Sequence, residues 1–213
     1  MAEPPRFDDQ FRDQLETLLA WRRDVRRFRP QPMPGGALDR LMALAGLAPS
    51  VGLSQPWRFV TVDDAARRGA IRADFERCNQ AALGSYEGDR ARLYATLKLA
   101  GLDEAPVHLA VFTDRATQQG NGLGRRTMPE TAEYSAAMAI HTIWLAARAL
   151  GLGLGWVSIL DPARIATILD VPADWRFVAY LCLGYPQEEH ADPVLEREGW
   201  ERRRPPEAFL LRR

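Results

Sequence analysis

The stretch TAEYSAAMAIHTIWLAARAL, residues 131–150, constrains the fold more than any other part of the chain. Its apolar residues fall on nearly every side of a helix, so such a helix must be buried on most faces, in a core or against a second subunit. Thr127 and Glu130 fit a capping box that would open this helix, and Gly151 is placed to end it. Together with a C-terminal region that is poor in core residues, the helix predicts an obligate dimer.

The remaining helices and strands follow one another without strict alternation. Predicted strands lie at residues 58–62, 107–113, 155–159 and 176–183, and further helices at 9–20, 37–47, 64–83, 89–100 and from 161 onward. This order favours an α+β layered fold over a doubly wound parallel sheet. The chain has 213 residues with no internal repeat and no linker, which predicts a single domain over residues 1–213.

Composition excludes several classes of function. The 28 basic residues balance 28 acidic ones, so the chain lacks the basic surplus of a general nucleic-acid binder. The three histidines show no metal-ligand spacing, so no metal site is expected. The first residues, MAEPPRFDDQ, do not resemble a signal peptide, and no apolar run reaches the roughly 20 residues of a membrane-spanning helix. A cytoplasmic protein without nucleic-acid or membrane partners is therefore expected.

A cluster of arginines follows the first predicted helix, at Arg22, Arg23, Arg26 and Arg27, with Asp24 inside it. Forked guanidinium donors suit a phosphate group, although a solvated run of charge is the more common role of such a cluster. Asp24 should stay ionised because nearby positive charge favours a carboxylate. It is either a structural ion-pair partner or an acid/base group beside a bound anion.

Two further segments have residues suited to a ligand. The loop PSVGLSQPW, residues 49–57, has small residues that allow backbone to approach a flat ligand, with Ser50 and Gln55 as hydrogen-bonding groups. It could equally be an ordinary connection between a helix and a strand. In GLGLGWVS, residues 151–158, the glycines predict a helix end and a tightly packed strand entry, because the segment follows a helix rather than opening one. Ser158 alone indicates little.

The segments WRRDVRRF, APSVGLSQPW and GLGLGWVSI, in this order and spacing, resemble the nitroreductase-like flavoprotein superfamily. Asp24, at a position where ordinary nitroreductases commonly carry serine, makes the chain similar to the BluB family of 5,6-dimethylbenzimidazole synthases. The resemblance implies an α+β homodimer with a central, mostly antiparallel sheet flanked by helices. The long helix would lie at the dimer interface, and the tail from residue 186 to 213 would wrap the partner subunit.

The same resemblance implies two FMN sites shared by both subunits, each closed by a lid at about residues 74–100. The phosphate would be held by Arg22, Arg23, Arg26 and Arg203, while Ser50 and Gln55 would approach the flavin. The other residues placed at the flavin are Val25, Leu99 and Trp156. The catalytic residues would be Asp24, as the acid/base group, and Ser158, which would position the reacting flavin.

The implied reaction consumes FMN itself. Reduced FMN would react with O2 and be fragmented to 5,6-dimethylbenzimidazole, the lower ligand of vitamin B12, and erythrose 4-phosphate. A separate NAD(P)H-dependent flavin reductase would supply the reduced FMN. Two alternatives stay open: an NAD(P)H-dependent nitroreductase or flavin reductase on the same fold, and a non-catalytic FMN-binding dimer.

Overall fold

The computed structural model describes residues 3–213 of the chain. Four strands and seven α-helices follow one another in this order: α1 (Asp9–Trp21), α2 (Ala37–Ala45), β1 (Trp57–Thr61), α3 (Ala65–Leu83), α4 (Gly88–Thr96), β2 (Val107–Asp114), α5 (Thr131–Ala149), β3 (Gly153–Val157), α6 (Pro162–Leu169), β4 (Trp175–Gly184) and α7 (Val194–Arg197). Three 3₁₀ turns lie at Val51–Leu53, Gln119–Gly122 and Pro206–Phe209.

The strands form one sheet in the order β1-β2-β4-β3, and every neighbouring pair is antiparallel. β2 and β4 occupy the centre of this sheet, where six of the eight residues of β2 and the last six of the ten residues of β4 are buried. β3 is an edge strand, with one side paired to β4 and the other side left for a further segment. The prediction of an α+β fold with a mostly antiparallel sheet is confirmed.

Helices cover both faces of the sheet. α2 and α5 pack on one face, where Leu41, Ile140 and Ile143 are fully buried. α3 and α6 pack on the other face, around Ile71 and Ile165. The long predicted helix is therefore a core helix on one side.

The opposite side of α5 stays open to solvent in the single chain. Tyr134 and Met138 are 55% and 39% exposed there. An apolar helix face of this kind is the surface that the predicted dimer would cover. The dimer itself remains a prediction.

Several boundaries differ from the sequence prediction. The capping box was wrong: α5 begins at Thr131, and Glu130, its N-cap, makes no side-chain cap hydrogen bond. Thr127 instead donates its hydroxyl to the carbonyl of Gly124, because a glycine-rich turn ends there before the helix begins. β3 covers residues 153–157 rather than 155–159, and α4 ends at Thr96, four residues earlier than expected.

The beginning of the C-terminal extension, from Pro186 to Trp200, packs against its own chain. Pro186 pairs with Phe28, and the Trp200 ring meets those of Tyr86 and Tyr94 at centroid distances of 5.4 and 5.9 Å. Near the C-terminus the apolar side chains are open to solvent, with Phe209 73% exposed. The wrap of residues 186–213 around a partner subunit remains a prediction, and the apolar side chains after Trp200 are open to such a contact.

Residues 3–213 are the part of the chain that the structure describes. Within that range no helix combines the length and hydrophobicity required to cross a membrane. The same residues contain no group of three or more His, Cys, Asp and Glu side chains arranged to hold a metal ion.

A buried histidine gives the fold a defined dependence on pH. His108 is 1% exposed, its Nδ1 lies 2.9 Å from the Tyr180 hydroxyl, and burial, followed by the charge of Arg68, lowers its pKa to about 4. In the unfolded chain the pKa returns to about 6.5. Between these values the unfolded chain binds a proton that the native chain does not, so stability falls as pH falls.

We therefore expect His108 to remove about 2.5 kcal/mol of stability on going from pH 7 to pH 4.5. Between pH 7 and pH 4.5 the unfolding free energy of His108→Gln, measured in urea, should therefore fall by about 2.5 kcal/mol less than that of the wild type. The carboxylates contribute equally to the pH dependence of both proteins. Identical pH profiles for His108→Gln and wild type would contradict the prediction.

Candidate active site

The segment after α1 runs along the free edge of β3. The Val25 N–H donates to the Leu154 carbonyl at 3.0 Å, and Asp24 forms a parallel bridge with Leu154. A Cβ added to Gly155 would lie 2.0 Å from the Val25 carbonyl oxygen, and one on Gly153 would lie 2.7 Å from the Val25 side chain. Only glycine permits this approach. The predicted tight strand entry is confirmed, and it is what brings Asp24 to the sheet edge.

Asp24 is held by both of its carboxylate oxygens. Oδ1 accepts the backbone N–H of Trp156 at 2.8 Å, and Oδ2 accepts Nε–H of Arg26 at 2.9 Å. Burial raises the pKa of Asp24, while the charge of Arg26, the Trp156 N–H and the charge of Arg22 oppose the rise. The arginines favour the ionised form, as expected, but burial of the carboxylate is the larger influence on its pKa. That Asp24 stays ionised remains a prediction.

Arg26 connects Asp24 to the end of residues 74–100, the predicted lid segment. While its Nε–H donates to Asp24, its Nη1 donates to the Lys98 carbonyl at 3.1 Å. The Arg26 side chain is only 16% exposed. In this arrangement Arg26 orients the carboxylate, and its proposed contact with phosphate remains a prediction. Leu99, the next residue along this segment, is half-buried.

Arg22, Arg23 and Arg203 form a second group of positive charge. Burial lowers the pKa of Arg22 and of Arg23, and the charge of Arg203 lowers both further. Among residues 3–213 none of the three makes an ion pair with a carboxylate within 4.0 Å. The Arg23 guanidinium donates to backbone carbonyls of Ala20, Arg22 and Ala191, so it also fastens the tail to the end of α1. The arrangement suits an anion, and the tail supplies one of its arginines.

A cavity opens beside Asp24. Its walls are contributed by the segment after α1, the end of the predicted lid segment, the C-terminal part of α5 and the tail. Lining residues include Arg23, Asp24, Val25, Leu97, Lys98, Trp144, Leu154 and His190. The structure thus brings the predicted Asp24 and Val25 together with the lid segment at one cavity.

The loop at residues 49–57 lies elsewhere in the same chain. Ser50 accepts the Gln55 N–H at 3.1 Å, and the Val51 N–H donates to Ser135, near the start of α5. The arginine segment instead contacts Trp144, nine residues along that helix, which corresponds to about 13 Å. Ser50 and Gln55 are therefore not brought to the Asp24 cavity within one chain.

The two remaining predicted residues lie at the end of β3. Trp156 is half-buried, and its backbone N–H is the donor to Asp24. Ser158 is exposed, one residue past the strand. Sequence reasoning missed Trp144, whose indole N–H donates to the Arg23 carbonyl at 2.9 Å. A tryptophan inside an apolar helix gives no signal that distinguishes it from a core residue.

The fold and this site define a class of protein. The sequence profile of the Nitroreductase family matches residues 19–185, a range that contains the arginine segment, the sheet and the long helix. The chain belongs to this family. The computed structure is also similar to the crystal structure of an iodotyrosine deiodinase bound to FMN and 3-iodo-L-tyrosine, with a TM-score of 0.69, 26% identity and coverage of 83% of this chain and 91% of that one.

Within the family, two bacterial proteins are similar to this chain over nearly its whole length. It is 62% identical to the 5,6-dimethylbenzimidazole synthase of Rhodospirillum rubrum, over 96% of this chain and 97% of that protein. It is 51% identical to the 5,6-dimethylbenzimidazole synthase of Rhodobacter capsulatus, over 94% of this chain and 97% of that protein. The narrower resemblance based on Asp24 is confirmed by these relatives.

Proposed function

We propose that this chain is a 5,6-dimethylbenzimidazole synthase, which uses O2 to fragment reduced FMN into 5,6-dimethylbenzimidazole and erythrose 4-phosphate. The observation that carries the proposal is Asp24, a carboxyl held by the Trp156 N–H and Arg26 at a cavity. The relatives that bear this enzyme name share 62% and 51% of aligned residues with the chain.

The residues present fit an FMN substrate. Arg22 and Arg203 would hold the phosphate, because their charges lie close together without carboxylate partners among residues 3–213. FMN supplies the isoalloxazine ring, whose fragmentation in the presence of O2 yields the benzimidazole.

Asp24 would hold and return a proton at its Oδ atoms. Burial raises the pKa of Asp24, the direction that favours uptake of a proton by the carboxylate. Arg26 fixes the carboxylate orientation for that role through Nε. Ser158 would assist from the end of β3 by a hydrogen bond to the flavin, as the resemblance implies.

The active assembly would be a cytoplasmic homodimer. Ser50 and Gln55 lie against the start of α5, away from Asp24 of the same chain, so a second copy is needed if all of them are to reach one flavin. The exposed face of α5 at Tyr134 and Met138 would lie in that interface. The end of the tail would wrap the partner, residues 74–100 would close over the flavin, and a separate flavin reductase would supply the substrate.

The test of this function is to incubate the protein with reduced FMN in air and to measure 5,6-dimethylbenzimidazole by mass spectrometry. Formation of the product, dependent on O2, is expected. Sustained NAD(P)H oxidation with bound FMN and no benzimidazole would support the reductase alternative instead. Tight flavin binding without either reaction would support the non-catalytic dimer.

Replacement of one phosphate-binding arginine gives a prediction on affinity. Arg22→Ala and Arg203→Ala are each expected to weaken FMN binding by about 1.5–3 kcal/mol and to change riboflavin binding much less, since one charge-assisted contact to phosphate is lost. Titration of both flavins by fluorescence quenching measures the difference. Equal losses for FMN and riboflavin would show that these arginines do not contact phosphate.

A further inference from the structure

Trp144 lies where α5 meets the segment that carries the arginine cluster. Its indole N–H donates to the Arg23 carbonyl at 2.9 Å. Its ring lies beneath the Arg22 guanidinium, whose carbon is 4.7 Å from the ring centroid. The ring is half-buried and forms part of the wall of the Asp24 cavity. One side chain of α5 therefore contacts both arginines at the end of α1.

Arg22 needs such a support. Its side chain is half-buried, and among residues 3–213 it makes no ion pair with a carboxylate within 4.0 Å. The charge of Asp24 favours the Arg22 guanidinium from a greater distance, while Arg23 and Arg203 place like charges nearby. An aromatic face attracts a guanidinium through its quadrupole without using the N–H donors, which stay free for a ligand. A carboxylate partner would have consumed those donors. Stacking on the Trp144 ring thus holds the Arg22 guanidinium in place and leaves its N–H donors available for a phosphate.

The same helix, α5, also holds the C-terminal tail, one turn further on. Arg148, four residues after Trp144, binds Glu189 of the tail with both guanidinium nitrogens, at 2.8 and 3.0 Å. This contact fixes the tail, which leads on to Arg203, against α5. Trp144 and Arg148 therefore hold the two chain segments that supply the anion-binding arginines.

We propose that the ring of Trp144 is a positioning element of the phosphate site, which orients Arg22 toward the phosphate of FMN. Because FMN is the proposed substrate, the role of Trp144 rests on the proposed function. In this assignment Trp144 acts on the phosphate through Arg22. Trp144 therefore contributes to the affinity for the phosphate group of FMN and not to the affinity for the isoalloxazine ring. Because its ring also lines the Asp24 cavity, a direct contact with the flavin ring would show as an equal loss of riboflavin affinity.

The experiment compares Kd for oxidised FMN and for riboflavin in single variants. Trp144→Leu removes the ring and is expected to weaken FMN about tenfold and riboflavin less than about twofold. Trp144→Phe keeps an aromatic face but loses the indole N–H, and should weaken FMN by less than about threefold. Trp175→Leu is the matched control, since Trp175 also lies under an arginine, Arg58 at 6.0 Å, but away from the cavity.

A double-mutant cycle isolates the route through Arg22. In an Arg22→Ala background, Trp144→Leu should change the ratio of the two dissociation constants by less than about twofold, because the residue it positions is gone. Full additivity of the two changes, or a Trp144→Phe variant as weak as Trp144→Leu, would overturn the proposal. So would a wild-type protein that binds FMN no better than riboflavin. Absence of benzimidazole formation by the wild type would contradict the proposed function. The comparison of FMN and riboflavin affinities would still test the role of Trp144, because it requires no turnover.

Discussion

Asp24→Asn is expected to lower the yield of 5,6-dimethylbenzimidazole about a hundred- to ten-thousand-fold, the usual contribution of a positioned proton-transfer group. The substitution keeps the size of the side chain and an oxygen that can accept the Trp156 N–H. It removes the negative charge and the ability to exchange a proton near neutral pH. The variant should still fold, bind reduced FMN and return oxidised flavin in air, so flavin reoxidation and benzimidazole yield are measured in the same tube.

The control for Asp24→Asn is Asp114→Asn. Asp114 also pairs with an arginine, Arg58 at 2.6 Å, and its side chain is 17% exposed, against 27% for Asp24. It is absent from the residues that line the Asp24 cavity, so its loss should leave the benzimidazole yield unchanged. If Asp24 served only to balance the arginines, the Asp24→Asn site would be more positive, flavin would bind as well or better, and turnover would persist. A yield within a few-fold of wild type would falsify the catalytic role.

The sequence allowed the general architecture to be predicted because that information is local. Helical and strand periodicities are read within about ten residues, and the order of elements then favours α+β layers. The ion pair between Asp24 and Arg26 was within reach for the same reason, since the two residues are two positions apart. The prediction of a capping box was wrong because Thr127 belongs to the glycine-rich turn that precedes the helix. Its hydroxyl donates to the Gly124 carbonyl in that turn and does not cap the helix.

The parts of the site that could not be predicted depend on contacts across long stretches of chain. The Trp156 N–H reaches Asp24 across 132 positions, and the Trp144 indole reaches Arg23 across 121. No local pattern encodes such a contact. The upward shift of the Asp24 pKa could not be predicted for a related reason: the four nearby arginines are visible in the sequence, but burial of the carboxylate is a property of the packed edge of β3. The effect of burial on the Asp24 pKa can be compared with the effect of the arginines only once the structure is known.

The second large effect is expected at Gly155, where the site depends on the lack of a side chain. β3 is fixed on its other edge by antiparallel pairing with β4, in which Gly155 faces Cys182, so the strand cannot retreat. A Cβ at 2.0 Å from the Val25 carbonyl oxygen must therefore displace the arginine segment. That displacement separates the Val25 N–H from Leu154 and Asp24 from the Trp156 N–H.

Gly155→Ala is therefore expected to cost about 4 kcal/mol of unfolding free energy, combining overpacking with the loss of one neutral and one charge-assisted hydrogen bond. FMN affinity should fall at least about a hundredfold, since Arg22 and Asp24 move together with the segment. Urea unfolding and flavin titration measure the two effects. Gly35→Ala is the matched control, because a Cβ there meets no atom within 4 Å, and its stability should stay within about 0.5 kcal/mol of wild type. If Gly155→Ala matched Gly35→Ala in both measurements, the arginine segment would not be held against β3 in the way that places Asp24 at the site.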